Sequence, residues 1–188
     1  MAILTEEQTM LRDAAKSFVA AKSPVTAFRT LRDGGKTFDP ALWREMCEMG
    51  WSGILIPEEY GGSGLGFLTL GLVLEETGRT LTASPLLSTA IATTALLLGS
   101  NDAQKSDWLP KFASGEAIGA LAVDEAAHHA PEKTALTATR DGVNFKLSGK
   151  KVFVADGGIA DVFVVPARTS SGITLFLIPA NAPGLTRQ

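Results

Sequence analysis

The spacing of apolar residues changes near residue 116, and that change constrains the fold more than any other feature. Before it, apolar side chains recur at helical spacing. After it, short runs of β-branched residues alternate with polar ones. Thr5-Glu6-Glu7-Gln8 has the pattern of a capping box, with the Thr5 oxygen accepting from an early backbone N–H and Gln8 reaching back. Leu11, Ala14, Ala15, Phe18 and Val19 then share one helical face. Pro24, lacking an N–H, interrupts this helix, and a short one over 25–32 follows. Asp39 can cap a third helix with Pro40 in its first turn, running to a left-handed terminator at Gly50. Residues 51–56 form a short apolar connector. Gly61, Gly62, Gly64 and Gly66 define a loop. Three more helices are expected over 67–78, 85–98 and 103–114, with Pro110 opposing helix beyond Leu109.

Beyond Gly115, strands are expected over 118–123, 134–139, 143–148, 151–155, 161–167 and 173–178, with Asp141-Gly142 as a hairpin turn. No helical pattern separates these runs, which argues for an antiparallel sheet or barrel-like unit, not a doubly wound one. The expected class is α+β: an all-helical N-terminal domain over 1–115 and an incomplete antiparallel β-barrel-like domain over 116–188, whose open edge needs cover. Pro183-Gly184-Leu185-Thr186-Arg187-Gln188 reads as a turn into a further strand, so the expectation is that the β-domain continues.

Composition narrows the function. The chain has 188 residues, 45% of them hydrophobic, which excludes wholesale disorder. Lys plus Arg is 17 against 20 for Asp plus Glu, a formal charge of −3, and no basic stripe marks a nucleic-acid surface. Cys47 is the lone cysteine, so no intrachain disulfide is available, as in a reducing compartment. Residues 1–8 lack a secretory pattern and no apolar run is long enough to span a bilayer. A cytoplasmic protein, not bound to membrane, is the expectation.

Several residue groups suggest chemistry and then fail on spacing. The 61–66 loop has neither the Gly-Lys-Ser/Thr of a phosphate loop nor a βαβ context, so a tight turn with positive φ is the better reading. His128 and His129 are adjacent and diverge, so no metal site is expected. Cys47 faces the apolar side of its helix as a buried thiol. Glu58/Glu59 and Glu75/Glu76 are neighbours in sequence only and read as solvated surface. Trp43, Trp51 and Trp108 read as core. Spacing alone leaves two classes open: part of a cofactor-binding enzyme, or a non-catalytic interaction subunit.

Longer patterns resemble a family. Ile56-Pro57-Glu58-Glu59-Tyr60-Gly61-Gly62-Ser63-Gly64 is similar to the IPEEYGG-x-G signature of acyl-CoA dehydrogenases. Glu75-Glu76-Thr77-Gly78-Arg79 resembles that family's EE-x-G-R helix. Gln104-Lys105, Trp108-Leu109-Pro110 and Gly115-Glu116 follow in family order. Gly149, Lys151, Phe153, Val154, Asp156, Gly157, Ala160, Asp161 and Arg168 fit its next conserved block. The resemblance implies a helical N-terminal domain, a middle β-domain and a C-terminal helical bundle that these residues do not contain. It implies FAD as cofactor, and α,β-dehydrogenation of an acyl-CoA thioester in which a carboxylate removes the α-proton and flavin accepts a hydride. An electron-transfer flavoprotein or similar acceptor, and a homo- or hetero-oligomer, are the implied partners.

The same resemblance names cofactor-binding positions. Leu121-Ala122-Val123-Asp124-Glu125-Ala126 aligns with the first flavin-contacting segment, but Asp124 replaces a Thr, Ala126 replaces a Pro, and Ala127-His128-His129-Ala130-Pro131 stands where Gly-Ser-Asp follows. Backbone donors of Val123, Asp124 and Glu125 are expected to serve the flavin edge. Phe153 matches the aromatic packed on the flavin and Val154 matches its neighbour. Ala155 lacks the family's hydroxyl, a loss of about 0.5–1.5 kcal/mol if that bond is made. These departures resemble the less catalytic partner in heteromeric members that act on steroid side-chain thioesters. In most of the family the catalytic glutamate lies in the C-terminal domain, so no catalytic residue is named. The expected parent is an FAD-dependent acyl-CoA dehydrogenase of lipid or steroid catabolism, present as its N-terminal portion and inactive in that form; the alternative is a degenerate structural subunit of a heteromer.

Overall fold

The structure is a computed structural model describing residues 4–188; residues 1–3, part of the 1–8 stretch read above, lie outside the described residues. The helices are α1 (Glu6–Lys22), α2 (Val25–Asp33), α3 (Pro40–Glu48), α4 (Gly66–Arg79), α5 (Leu86–Gly99) and α6 (Asp102–Ser114). The strands are β1 (Gly119–Leu121), β2 (Thr137–Asp141), β3 (Asn144–Ser148), β4 (Val162–Thr169) and β5 (Gly172–Pro179). No helix among the described residues is long and apolar enough to cross a membrane.

Local chemistry starts and stops the helices. The Gln8 amide donates to Thr5 Oγ1 at 3.2 Å and the Thr5 amide to Gln8 Oε1 at 3.1 Å, the reciprocal cap expected there. Asp39 accepts from the Ala41 amide at 2.9 Å with Pro40 in the first turn. A second reciprocal cap, unread in the sequence, pairs Asn101 and Gln104 ahead of α6. Pro110 does not end that helix, which continues to Ser114. The lost backbone bond is offset because Leu109 and Phe112, on either side of the proline, are fully buried.

The chain divides into two compact units. One holds the residues through Leu87 together with Leu109–Glu116; the other holds Ser88–Trp108 with Ala117–Gln188. In the first, α1 packs on α4, and Val19, Trp43, Met46, Trp51, Ile54, Ile56, Val73 and Phe112 build the core. Phe18 meets Trp51 edge-on, with ring centroids 5.1 Å apart. The glycine loop lies against the 51–56 connector: the amides of Ser63, Gly64 and Leu65 donate to the carbonyls of Gly53, Ile56 and Ile54. A Cβ at Gly62 would sit 2.0 Å from the Ile56 carbonyl oxygen, so only glycine fits. Cys47 is buried, and that burial pushes its thiol pKa up against a weaker opposing hydrogen bond from Ser52. Glu76 departs from the solvated reading. It is buried, with the Arg79 guanidinium 3.3 Å from its carboxylate, while Glu75 stays exposed and also pairs with Arg79.

In the second unit the sheet is mixed, which corrects the antiparallel expectation. β4 pairs antiparallel with β5 along its whole length, from Val162↔Pro179 to Thr169↔Gly172. It also pairs parallel with β1, from Gly119↔Val162 to Leu121↔Val164, and parallel with β2 at Thr137↔Arg168. β2 and β3 form the expected hairpin, Asp141 opposite Asn144, with Gly142 at φ 61°. A parallel pair needs a long crossover but not a helical one; here the loop after β1 and the β2–β3 hairpin supply it. β4 is buried on both faces at Val162, Phe163, Val164 and Val165, the unbroken apolar run expected of a central strand. The sheet is open, so the barrel-like expectation also gives way. The strand expected over 151–155 is absent: those residues form an irregular turn, because Phe153 adopts φ 54° and breaks the extended path.

Candidate functional site

All six residues expected to contact a cofactor lie in the second unit. β1 ends at Leu121, and the Ala122 amide still donates to the Val164 carbonyl at 2.9 Å, so Val123 leaves directly from the edge of the sheet core. The turn that follows Gly149 returns to this point. The Val152 amide donates to the Asp124 carbonyl at 2.7 Å, and Lys151 Nζ donates to the Val123 carbonyl at 3.0 Å. Two stretches far apart in sequence, 123–125 and 151–153, are therefore held side by side.

The bonds at this crossing use the carbonyls of Val123 and Asp124. Among the described residues, the amides of Val123, Asp124 and Glu125 meet no backbone acceptor. The three residues are half-buried, and unpaired backbone donors suit an electronegative heteroatom edge. Beside them Phe153 is 79% exposed, the only one of the six with a large ring, on a backbone in the left-handed region at φ 54°. Placing a bulky residue there costs about 1–3 kcal/mol, and such strain gathers at ligand sites. The turn beyond it is well supported. Asp156, also left-handed, accepts from Ser88 Oγ at 2.6 Å and closes the turn through the Ile159 and Ala160 amides. Arg187 donates to the Ala160 and Gly158 carbonyls, each at 3.1 Å. Val154 is half-buried, with its carbonyl accepting from the Gly157 amide, and Ala155 is exposed.

The charged side chains of the segment are committed elsewhere. Asp124 Oδ1 lies 2.8 Å from His129 Nδ1, so this carboxylate has an imidazole partner. Glu125 accepts from the Ala135 amide at 2.8 Å, the Leu136 amide at 3.0 Å and Lys151 Nζ at 2.6 Å. Partial burial opposes the Glu125 carboxylate, but the Lys151 ammonium and the two amides outweigh it and hold its pKa below the ordinary value. Lys151, Ser88, His129 and Arg187 carried no role in the sequence reading. Lys151 alone had a signal, its place in a matched family block. Among the described residues no three His, Cys, Asp or Glu side chains gather to hold a metal.

An aromatic face beside free backbone donors suits the ring of a flavin, which offers a flat π-surface and a hydrogen-bonding edge. The donor set fits that ring.

Residues 5–116 match the acyl-CoA dehydrogenase N-terminal domain and residues 123–188 match the acyl-CoA dehydrogenase middle domain. The mitochondrial isovaleryl-CoA dehydrogenase of Pongo abelii is 35% identical over 97% of this chain and 46% of its own length. The ChsE4-ChsE5 complex from Mycobacterium tuberculosis contains a chain with TM-score 0.88 and 31% identity, covering 99% of this chain and 50% of that one. A glutaryl-CoA dehydrogenase from Mycobacterium smegmatis, solved in complex with FADH2, superposes with TM-score 0.83 and 25% identity over 97% of this chain and 48% of its own. The chain spans about half the length of the curated relatives it matches. With two consecutive domain matches and the expected α+β order of elements, the chain belongs to the acyl-CoA dehydrogenase family.

Proposed function

We propose that this chain supplies the flavin-ring half of an FAD-dependent acyl-CoA dehydrogenase, which oxidises an acyl-CoA thioester between its α and β carbons. The observation that carries the reading is the exposed, left-handed Phe153 beside the free amides of Val123, Asp124 and Glu125. FAD bound there would supply the hydride-accepting chemistry. The chain's own part is to present an aromatic face, to donate backbone hydrogen bonds to the ring edge, and to hold the Asp124 carboxylate against the His129 imidazole. Val154 and Ala155 continue the turn against the same face. The carboxylate that takes the α-proton is not assigned to any residue here. The helical domain over 1–115 and the β-domain over 116–188 are read as the first two domains of that enzyme. Acyl-CoA as substrate, an electron-transfer flavoprotein or similar acceptor, assembly with like or unlike subunits, and a role in cytoplasmic lipid or steroid breakdown belong to the same reading.

The test is a visible absorption spectrum of the intact protein as its gene encodes it, before and after adding FAD. A flavin spectrum that Phe153→Ala weakens supports the proposal. A colourless protein that takes up no added FAD overturns it.

A further inference from the structure

We infer that Lys151 and Glu125 are positioning residues whose ion pair holds the 123–125 donors and the Phe153 turn in one arrangement for the flavin ring. This rests on the flavin reading above and adds to it the device that makes the site rigid. The Lys151 side chain is only 7% exposed, and that of Glu125 22%. Lys151 Nζ is shared between the Val123 carbonyl and Glu125 Oε1, while Glu125 also takes the Ala135 and Leu136 amides. One ion pair thus ties three stretches, 123–125, 135–136 and 151–152. The Val152–Asp124 backbone bond lies one residue from each of its ends. Phe153 is two residues from Lys151, so a shift of the lysine backbone moves the ring directly.

Net stability is a poor explanation for such a pair. Desolvating two charges cancels most of their attraction, and apolar side chains of similar size often serve the fold as well. Geometry is a better one. Lys151 reaches a carbonyl on the same residues whose amides are free, so it fixes the direction of those amides. It does this from behind, through the carbonyl side, and occupies no donor the ligand would need.

The two explanations separate in a double variant. Lys151→Met or Glu125→Gln alone leaves one buried group without its charge partner, and each is expected to lower the thermal midpoint. Lys151→Met with Glu125→Gln leaves no unpaired charge, so the midpoint is expected to recover most of the loss. If the pair positions the ring site, the FAD dissociation constant of the double variant stays weaker by about tenfold or more despite that recovery. Lys151→Arg, which keeps charge and donors, restores FAD binding in part. Val19→Ala, a core change in the other unit, lowers the midpoint and leaves the dissociation constant unchanged. FAD affinity and midpoint would be measured on the intact protein for all five. The inference is overturned if FAD affinity of the double variant returns with its stability, or if the single variants bind FAD as the wild type does. Should Lys151→Met fail to fold alone or in the double, wild-type FAD affinity in a folded Glu125→Gln overturns it equally. If the wild type itself takes up no FAD, the flavin reading fails first and this inference with it.

Discussion

Two turns of this molecule solve the same backbone problem with opposite residues. In the 61–66 loop the left-handed positions are Gly61, Gly64 and Gly66, where the missing Cβ removes the steric cost. In the 151–160 turn they are Phe153 and Asp156, which bear that cost. Asp156 recovers it through Ser88 and the amides of the turn. Leu81, another left-handed residue, is accounted for by the end of α4, where the Thr82 amide returns to the Thr77 carbonyl at 2.9 Å. Among the described residues Phe153 has no such return, and it is mostly in solvent. Glycine takes the left-handed positions of the loop packed on the 51–56 connector, whereas a strained, exposed aromatic takes one in the turn proposed to meet the flavin.

The comparison can be broken by exchanging the residues. The largest effect is expected at Gly62, the glycine of the first loop that contact alone requires. Gly62→Ala places a Cβ against the Ile56 carbonyl and should destabilise the fold by about 3 kcal/mol or more, read by denaturant unfolding. Gly64→Ala meets open space, so only the φ of 60° opposes it, and a loss of about 1 kcal/mol is expected in the same assay. Phe153→Gly should do the reverse. It relieves strain and raises stability by about 0.5–1 kcal/mol while weakening FAD. A stabilised variant with undiminished FAD affinity would remove the basis for calling this turn a ligand site.

The gentlest test is pH. The Glu125 carboxyl has a folded pKa below its unfolded one, so its contribution to stability is present above the ordinary glutamate value and is lost as pH falls through the lowered value. The stability difference between wild type and Glu125→Gln should therefore shrink on acidification across that window, followed by unfolding midpoints. A difference that stays constant with pH would show that the ionised carboxylate is not what binds the three stretches.

The helices were legible because their signals are local. Thr5 with Gln8, Asp39 with Pro40, and the apolar face from Leu11 to Val19 lie within a turn or two of one another. The Asp141-Gly142 hairpin was legible for the same reason. The helix over 103–114 runs its full expected length past Pro110, whose penalty is local while the burial of Leu109 and Phe112 that overrides it is not. The 151–155 stretch misled because β-branched alternation says nothing about the φ of Phe153. Of the candidate site, the sequence pointed to the segments and missed how they are held. Glu125 was expected to serve through its backbone amide, and nothing local in the sequence shows that its carboxylate is taken by Ala135, Leu136 and Lys151.

By itself the sequence determined the α-then-β order, the helix boundaries set by caps, and the lone buried thiol, all consequences of spacing over a few residues. Tertiary structure alone decided that β4 pairs parallel with β1 and β2, that Lys151 reaches Val123, and that Phe153 stands exposed beside the free amides. Those features depend on contacts between residues tens of positions apart, whose formation rests on chain closure and packing and leaves no periodic trace in the sequence.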